Sequence, residues 1–317
     1  MSPNSWTCLH PSNATEAKLS LDNRGLAYGD GFFTTMGVID GQILWFDYHQ
    51  QRLVSHATAL QLQLDSQLLL AMLKIHAKQL QQGMLKLIIT RAEQEVRGYG
   101  YTPNIGGGSA CEIWLKSSPM AITTARSLPL ADGQFIPLQP TASAICLSSQ
   151  IACLPPTLAG LKSLNRLDNV LASGELQAIK AKTLADTIKP SIAEGLLRDI
   201  SGHWVEGTMS NVFYQLVEAP VAKSSNRPHS QNNSNSNYLT QGQWYTPSMA
   251  QSGVAGVMRQ VIIDTLSTSN NPVIIRSLQD EDLPHLSQLF FCNALRGIMP
   301  MSSLRLLSGE VVSFEAI

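Results

Sequence analysis

The chain has 317 residues, of which 44% are hydrophobic and 14% are charged, and its formal net charge is −1. This length predicts two domains with a substantial core, and the near-zero charge gives no reason to expect nucleic acid or an anionic membrane surface as a partner. The N-terminus lacks the apolar segment of a secretory signal, and no apolar run is long enough to cross a membrane. The five cysteines are scattered without zinc-binding or disulfide spacing. We therefore expect a soluble, globular, cytoplasmic protein with no metal site.

Residues 1–120 predict a small domain in which short strands are mixed with amphipathic helices. Apolar residues recur at helical spacing in two segments, and short apolar runs indicate strands. Between the last two strands, a segment rich in Gly, Pro and Asn predicts a loop. In chain order, the predicted elements are a strand at 42–46, helices at 48–62 and 65–81, and strands at 84–90 and 110–116.

Residues 121–140 carry several prolines and small residues, which predicts a connection between domains. Residues 141–317 predict a larger domain in which antiparallel hairpins are mixed with helices, so the expected fold class is mixed α/β (α+β). The polar segment 223–237 predicts a mobile loop at the tip of a hairpin whose return strand contains Trp244 and Tyr245. The other elements predicted here are strands at 143–149, 195–200, 204–206, 211–217, 272–278 and 288–292, helices at 165–182 and 257–266, and a terminal hairpin.

Lys162 is a candidate catalytic residue because it lies among apolar residues in TLAGLKSLN. Burial lowers the pKa of an ammonium group, and a neutral amine is what imine formation with an aldehyde requires. The alternative is a lysine at a strand end that reaches water, and composition alone favours it. Glu206, in HWVEGTMSNVF, also has two interpretations: a carboxylate beside a cofactor's pyridine nitrogen, or an exposed glutamate on a hairpin.

Three further features suit a bound anion. Arg52, in DYHQQRL, has a planar guanidinium that matches a phosphate, although a surface salt bridge is the simpler interpretation. Gly253 and Gly256 precede a predicted helix, whose N-terminal N–H groups form a natural anion site. Arg97, in the loop EVRGYGYTP, could bind a substrate carboxylate or simply be solvated. Three histidines are interpreted as structural because their spacing suggests neither a metal site nor a catalytic triad: His49, His56 and His203.

Seven segments stand out when they are taken together in chain order. They are RGLAYGDGFFTTMGVIDGQI, YHQQRL, RGYGYTP, LAGLKSLNRLDNVLA, VEGTMSNVFY, AQSGVAGVMRQ and CNALRGIMPM. This series resembles the motifs of the fold-type IV pyridoxal-phosphate (PLP) enzymes, which include branched-chain aminotransferases, D-amino-acid aminotransferases and aminodeoxychorismate lyases. The resemblance extends from about residue 19 to about residue 302, and seven ordered motifs are far more specific than any one of them.

The resemblance implies a small N-terminal α/β domain, a larger C-terminal pseudo-barrel domain and a homodimer, with PLP in the cleft. It also implies that Lys162 forms the Schiff base with PLP and acts as general base, and that Glu206 keeps the pyridine nitrogen protonated. The other implied roles are phosphate binding by Arg52, Val257, Met258 and Asn293, substrate contact and proton donation by Thr35, and binding of a substrate carboxylate by Arg97.

Within the group, KSLNRLDNVLA and GDGFFTT most resemble the lyases. The expected reaction is therefore the conversion of 4-amino-4-deoxychorismate to 4-aminobenzoate and pyruvate, which belongs to folate synthesis. The alternative is an aminotransferase acting on D-amino or branched-chain amino acids, since it would use the same Lys162 and Glu206. The chain departs from the common pattern in its longer N-terminus and in the polar loop at 223–237, both outside the matched motifs.

Overall fold

The structure, a computed structural model, describes most of the chain as two α/β parts. The predicted loop at 223–237 lies outside the described residues. Among the helices that are described, none has the length and apolarity needed to cross a membrane. The described residues are 6–10, 18–104, 108–122, 126–130, 134–183, 191–217 and 238–314.

The N-terminal part is an antiparallel sheet packed against helices. Its strands are β1 (Trp6–His10), β2 (Gly31–Ile39), β3 (Gln42–Ile43), β4 (Gly83–Arg91) and β5 (Cys111–Pro119), and its helices are α1 (Arg24–Tyr28), α2 (Phe46–Ala59) and α3 (Ser66–Leu80). The strand order is β1-β5-β4-β2-β3. Leu53 of α2 and Leu73 of α3 are buried in one cluster with Met36 of β2 and Leu85 of β4. Burial of each such side chain stabilises the fold by about 1.5–3 kcal/mol, which holds the helices on the sheet.

The strand predicted at 42–46 is wrong in its second half, because β3 ends at Ile43 and α2 begins at Phe46. Trp45 adopts a left-handed conformation with φ 58° at the N-cap of α2, so the chain leaves the sheet there. No element is predicted for β2 from the sequence, because this strand is largely buried and lacks a clear alternation of apolar and polar residues. Part of the long N-terminus forms β1, which pairs with β5.

The C-terminal part is built on a mixed sheet that partly closes on itself. Its strands are β6 (Arg126–Pro129), β7 (Phe135–Leu138), β8 (Ala142–Ile151), β9 (Ile192–Asp199), β10 (Trp204–Gly207), β11 (Asn211–Leu216), β12 (Tyr245–Thr246), β13 (Ile274–Ile275), β14 (Leu286–Asn293), β15 (Gly297–Arg305) and β16 (Val311–Ser313), and its helices are α4 (Leu167–Thr183) and α5 (Val257–Leu266). Strands β8, β9, β10, β11, β14 and β15 are hydrogen-bonded in that order, and β15 pairs back with β8. This closed ring confirms the expected barrel-like sheet within a mixed α/β fold.

Residues 121–140, predicted as a connection, contribute β6 and β7 to the large sheet, so that description of the segment is incomplete. The two strands pair antiparallel, and β6 is the outermost strand at that end. Prolines are tolerated at edge strands and strand ends, which explains how a proline-containing segment still joins the sheet. The domain boundaries placed at 120 and 141 stay a prediction.

Two other elements differ from their predicted bounds in a way that bears on the site. The strand predicted at 272–278 is wrong for most of its length, because β13 spans only two residues, both of them exposed. The helix predicted from residue 165 begins at Leu167, and the two residues before it belong to neither a helix nor a strand. The return strand predicted at Trp244 and Tyr245 is confirmed at Tyr245, where β12 begins and pairs antiparallel with β11, whereas Trp244 precedes the strand.

A buried ion cluster in the N-terminal part gives a prediction about stability. Asp30 Oδ2 lies 2.9 Å from Arg24 Nε and 2.9 Å from Arg91 Nε, and both arginines are buried. Asp30→Ala would leave two buried guanidinium groups without a counter-charge, which is expected to lower the free energy of unfolding by about 3–5 kcal/mol. Urea denaturation measures the change. Asp264→Ala, on the exposed face of α5, is the control and should stay within about 0.5 kcal/mol of the parent protein.

Candidate active site

Residues 160–165 form a segment outside the helices and strands, the lysine segment, that is hydrogen-bonded to both parts of the chain. On one side, the Phe33 N–H of β2 donates to Lys162 O at 3.0 Å. On the other side, the Ala255 N–H donates to Gly160 O at 2.9 Å. Gly160 has φ 76°, a conformation that glycine adopts without steric cost. The lysine segment therefore places Lys162 at the junction of the two parts.

The amine of Lys162 lies in an environment that favours its neutral form. Its Nζ is 4.7 Å from the centre of the Phe33 ring. Burial, followed by the positive charge of Arg52, lowers the pKa of Lys162 to about 8, although the negative charge of Glu206 acts in the opposite direction. About half of the amine is therefore neutral near pH 8, where an ordinary lysine is almost wholly protonated. This burial disagrees with the alternative of a lysine that reaches water at a strand end, and the catalytic role of Lys162 stays a prediction.

Glu206 is a buried carboxylate on β10 rather than an exposed glutamate on a hairpin. Its Oε2 accepts the Val254 N–H at 2.8 Å, and its Oε1 accepts the Asn169 side-chain amide at 3.4 Å. Burial raises the pKa of Glu206, while the Val254 N–H and the charges of Arg166 and Lys162 act to lower it. A carboxylate that is this desolvated gains from a nearby proton or positive charge.

Arg52 lies beside the start of α5, and together they offer groups that suit an anion. Arg52 is buried, and its Nη2 donates to Ala255 O at 2.6 Å, immediately before Gly256, the N-cap of α5. Gly256 supplies no capping side chain, and the first N–H groups of a helix, here those of Val257 and Met258, lack intrahelical acceptors. Within the described part of the chain, Arg52 has no carboxylate partner, and burial lowers its pKa to about 10. An anion would supply the missing counter-charge.

Thr35 lies on the face of β2 that is turned toward Lys162. Alternate residues of a strand point to the same side, so Thr35 shares its face with Phe33, whose ring contacts the Lys162 amine. Lys86, which was not predicted as a site residue, pairs with Thr35 across β2 and β4, and its Nζ lies 5.5 Å from the Phe33 ring. Two ammonium groups therefore flank one aromatic ring, an arrangement that attracts an anionic substrate.

Two predicted site residues are not brought to Lys162 by any contact of the described residues. Arg97 is exposed in its loop and makes no ion pair with a described residue. Asn293 is used in the turn after β14, where its Oδ1 accepts the Arg296 N–H at 2.8 Å and the Leu295 N–H at 3.2 Å. The roles given to Arg97 and Asn293 stay proposals.

Residues on each side of the lysine segment were missed from the sequence. His56, interpreted there as structural only, accepts the Lys162 N–H through Nε2 at 2.9 Å. Arg166 donates from Nη2 to Leu161 O and adds positive charge near Glu206. The signal for His56 was its position four residues after Arg52 in a predicted helix, which places both side chains on one face.

Comparison with known proteins identifies the family. The model of the amino-transferase class IV family matches residues 31–304. The chain belongs to this family. An aminodeoxychorismate lyase from Vibrio harveyi is 23% identical over 91% of this chain and 88% of that protein. The crystal structure of 4-amino-4-deoxychorismate lyase from Pseudomonas aeruginosa is similar with a TM-score of 0.69 and 29% identity, covering 95% of this chain and 92% of that one. The PLP-bound form of a hypothetical aminotransferase from Mycobacterium tuberculosis has a TM-score of 0.63 at 16% identity, covering 94% and 90% of the two chains.

Class IV enzymes depend on PLP, and this class IV chain is therefore a PLP enzyme. The site fits the cofactor in three respects. Arg52 and the α5 N-terminus suit its phosphate, the amine of Lys162 suits its aldehyde, and the buried Glu206 suits a protonated pyridine nitrogen. A Cβ at Gly253 would lie 2.9 Å from Val205 Cγ1 and 3.1 Å from Glu206 Oε2, so glycine is what lets the Val254 N–H reach this carboxylate.

Two buried histidines of the class IV chain predict acid sensitivity. Burial, followed by the charge of Arg52, lowers the pKa values of His49 and His56 to about 3, and Lys162 and Arg166 act on His56 in the same direction. In the unfolded chain both imidazoles titrate near 6.5, so the unfolded state binds more protons between about pH 6.5 and pH 3. The free energy of unfolding therefore contains the full contribution of the two neutral histidines above pH 6.5, and this contribution is lost as the pH falls toward 3. Each histidine is expected to lower the free energy of unfolding by roughly 1.4 kcal/mol per pH unit in this window.

Denaturant unfolding of the apoprotein at a series of pH values measures this slope. His49→Gln removes one of the two titrating groups and should reduce the slope between pH 6.5 and pH 5 by roughly 1.4 kcal/mol per pH unit. His285 is the matched control, because its side chain is exposed rather than buried, and His285→Gln should retain the parental slope. An unchanged slope in His49→Gln would contradict the prediction.

Proposed function

We propose that the chain is a PLP-dependent lyase that converts 4-amino-4-deoxychorismate to 4-aminobenzoate and pyruvate. The observation that supports the proposal is that Thr35 shares its face of β2 with Phe33, whose ring centre lies 4.7 Å from the Lys162 amine. An elimination requires a base and a proton donor, and in this proposal Lys162 and Thr35 take those two roles. The lyases from Vibrio harveyi and Pseudomonas aeruginosa, which resemble the chain over most of its length, support the same choice.

The bound cofactor would withdraw electrons from the carbon that carries the substrate's amino group. With the substrate bound, the neutral Lys162 amine would take the proton from that carbon as general base. As the carbon–oxygen bond at the neighbouring carbon breaks, the Thr35 hydroxyl would deliver a proton to the leaving enolpyruvyl group, which becomes pyruvate. The proton taken by Lys162 would then restore the Thr35 hydroxyl. The ring that remains is aromatic 4-aminobenzoate, which makes the elimination favourable.

The other residues would bind rather than react. Glu206 would stabilise positive charge on the cofactor's pyridine nitrogen, and Arg52 would hold its phosphate with the N–H groups of Val257 and Met258. We propose that Asn293 contributes to phosphate binding and that Arg97 binds a substrate carboxylate. A homodimer and a cytoplasmic location complete the proposal, and sedimentation of the purified protein measures the first.

The test is a pair of assays on one holoprotein preparation. Incubation with 4-amino-4-deoxychorismate should release 4-aminobenzoate and pyruvate in equal amounts. Incubation with D- or L-amino acids and 2-oxoglutarate should give little transfer of the amino group. Robust transamination without 4-aminobenzoate would overturn the lyase proposal in favour of the aminotransferase, which the class IV family also includes.

A further inference from the structure

His56 connects α2 to the backbone of the lysine. Its Nε2 accepts the Lys162 N–H at 2.9 Å, while Lys162 O accepts the Phe33 N–H at 3.0 Å. The backbone N–H and C=O groups of Lys162 are therefore both hydrogen-bonded, the first to His56 and the second to Phe33. The imidazole itself is 5% exposed, and its ring packs edge-on against Phe32 with 5.3 Å between the ring centres. A residue in this position can move only if the packing around it moves.

The hydrogen bonds around His56 assign its tautomer. Ser55 Oγ donates to Arg52 O at 3.1 Å, so the hydroxyl proton is already used. The contact of 3.3 Å between Ser55 Oγ and His56 Nδ1 is therefore one in which Nδ1–H donates to the hydroxyl oxygen. Nε2 is left with a lone pair, which is what the Lys162 N–H needs. The chain of donors runs from Lys162 through His56 and Ser55 to the backbone of α2.

The charges around His56 keep it in this neutral state. Arg52 lies on its own helix, and Lys162 and Arg166 lie on or beside the lysine segment. All three are cations, and Phe32, which faces the ring from β2, is uncharged. A second proton on the imidazole is therefore opposed by burial and by every charge that acts on it.

We propose that His56 is a positioning residue that sets the backbone of Lys162, and through it the place of the amine, by accepting the Lys162 N–H. The inference rests on the proposed function in one respect: it assumes that Lys162 is the residue that bonds to PLP. When the acceptor is removed, the Lys162 N–H is left unsatisfied and the lysine segment is free to shift. The amine then reaches water more often, and capture of the cofactor slows.

The test compares two amides of different length at position 56. His56→Gln places an amide oxygen at about the reach of Nε2 and should capture PLP at close to the parental rate. His56→Asn places its oxygen nearer the backbone, cannot reach the Lys162 N–H, and should capture PLP about tenfold more slowly. Ser55→Ala, at an exposed position, removes the hydroxyl that accepts the His56 Nδ1–H and should slow PLP capture less than His56→Asn does. His49→Gln is the control for loss of a buried histidine on the same helix and should capture PLP normally.

A second measurement uses the apoprotein and needs no turnover. Acetylation of Lys162 by acetic anhydride, followed by mass spectrometry across pH, reports the pKa of its amine. In His56→Asn, the midpoint should move from about 8 toward that of an ordinary lysine, while His56→Gln should retain the parental midpoint. Thermal melting of each variant establishes that it is folded.

The outcomes separate the two proposals. If folded His56→Asn matches the parent in both capture and labelling, the positioning role is overturned. If His56→Gln slows PLP capture as much as His56→Asn does, loss of the hydrogen-bond acceptor does not explain the effect, and the positioning role is again overturned. If the parent forms no reducible adduct with PLP at Lys162, the proposed function fails, and the labelling profiles still decide whether His56 sets the lysine.

Discussion

Lys162→Ala is expected to abolish the covalent attachment of PLP and to lower turnover by at least about a thousandfold. The loss has two sources, because the variant lacks both the amine that bonds to the aldehyde and the base that takes the substrate proton. Borohydride reduction of the holoprotein followed by peptide mass spectrometry measures the first effect, and release of 4-aminobenzoate measures the second. The lowered pKa of Lys162 predicts that attachment to the parent apoprotein becomes faster as the pH rises through about 8.

Lys180→Ala is the control for this variant. The Lys180 Nζ donates to Ala193 O at 3.2 Å at the end of α4, far along the chain from the lysine segment. It should keep the parental adduct and the parental turnover. An adduct on any lysine other than Lys162 in the parent protein would refute the role given to Lys162, and so would turnover that survives Lys162→Ala.

Glu206→Gln is expected to lower turnover by about a hundredfold to a thousandfold while the cofactor stays attached to Lys162. Glutamine keeps the shape of the side chain and can still accept the Val254 N–H, but it carries no charge to hold a proton on the pyridine nitrogen. The absorption spectrum of the holoprotein and its kcat for 4-aminobenzoate release measure the two effects. Glu206→Gln should thus lose turnover but keep the attached cofactor, whereas Lys162→Ala should lose both.

Although Glu206→Gln should lower turnover, it should not lower the stability of the apoprotein. Burial raises the pKa of Glu206, so its ionised form opposes folding near neutral pH, and a neutral glutamine removes that cost. The apo form of Glu206→Gln should therefore melt no lower than the parent. Glu175→Gln, which alters a carboxylate bound by Ser148 and Ser149, is the control and should retain the parental kcat. Parental turnover in Glu206→Gln would contradict the role of the carboxylate.

The candidate site is assembled around the lysine segment from four other pieces of chain. Strand β2 supplies Phe33 and Thr35, α2 supplies Arg52, β10 supplies Glu206, and the first residues of α5 supply the N–H groups beside Arg52. The lysine segment lies between them and is hydrogen-bonded to both parts of the molecule. A change in how the two parts pack would therefore move the amine of Lys162 relative to Glu206, and with it the chemistry of the site.

Local patterns in the sequence were enough to predict most helices and strands. The apolar periodicity of α2, α3 and α5 depends on neighbours three or four residues apart, and those neighbours are present in the sequence itself. Predictions were wrong where an unusual conformation intervened, as at Trp45, whose left-handed φ ends the strand early. Local patterns also did not predict β6 and β7 within the segment 121–140, because these strands depend on pairing between residues whose local signals are weak.

The sequence by itself also determined the candidate residues for the chemistry, since Lys162, Glu206 and Arg52 stand in a series of motifs whose order is specific. Only the tertiary structure decided what surrounds them. His56 lies 106 residues from Lys162, and Lys86 reaches the same Phe33 ring from a different strand. Their proximity is set by how β2, α2 and the lysine segment pack, and packing depends on contacts between distant residues that no local pattern records.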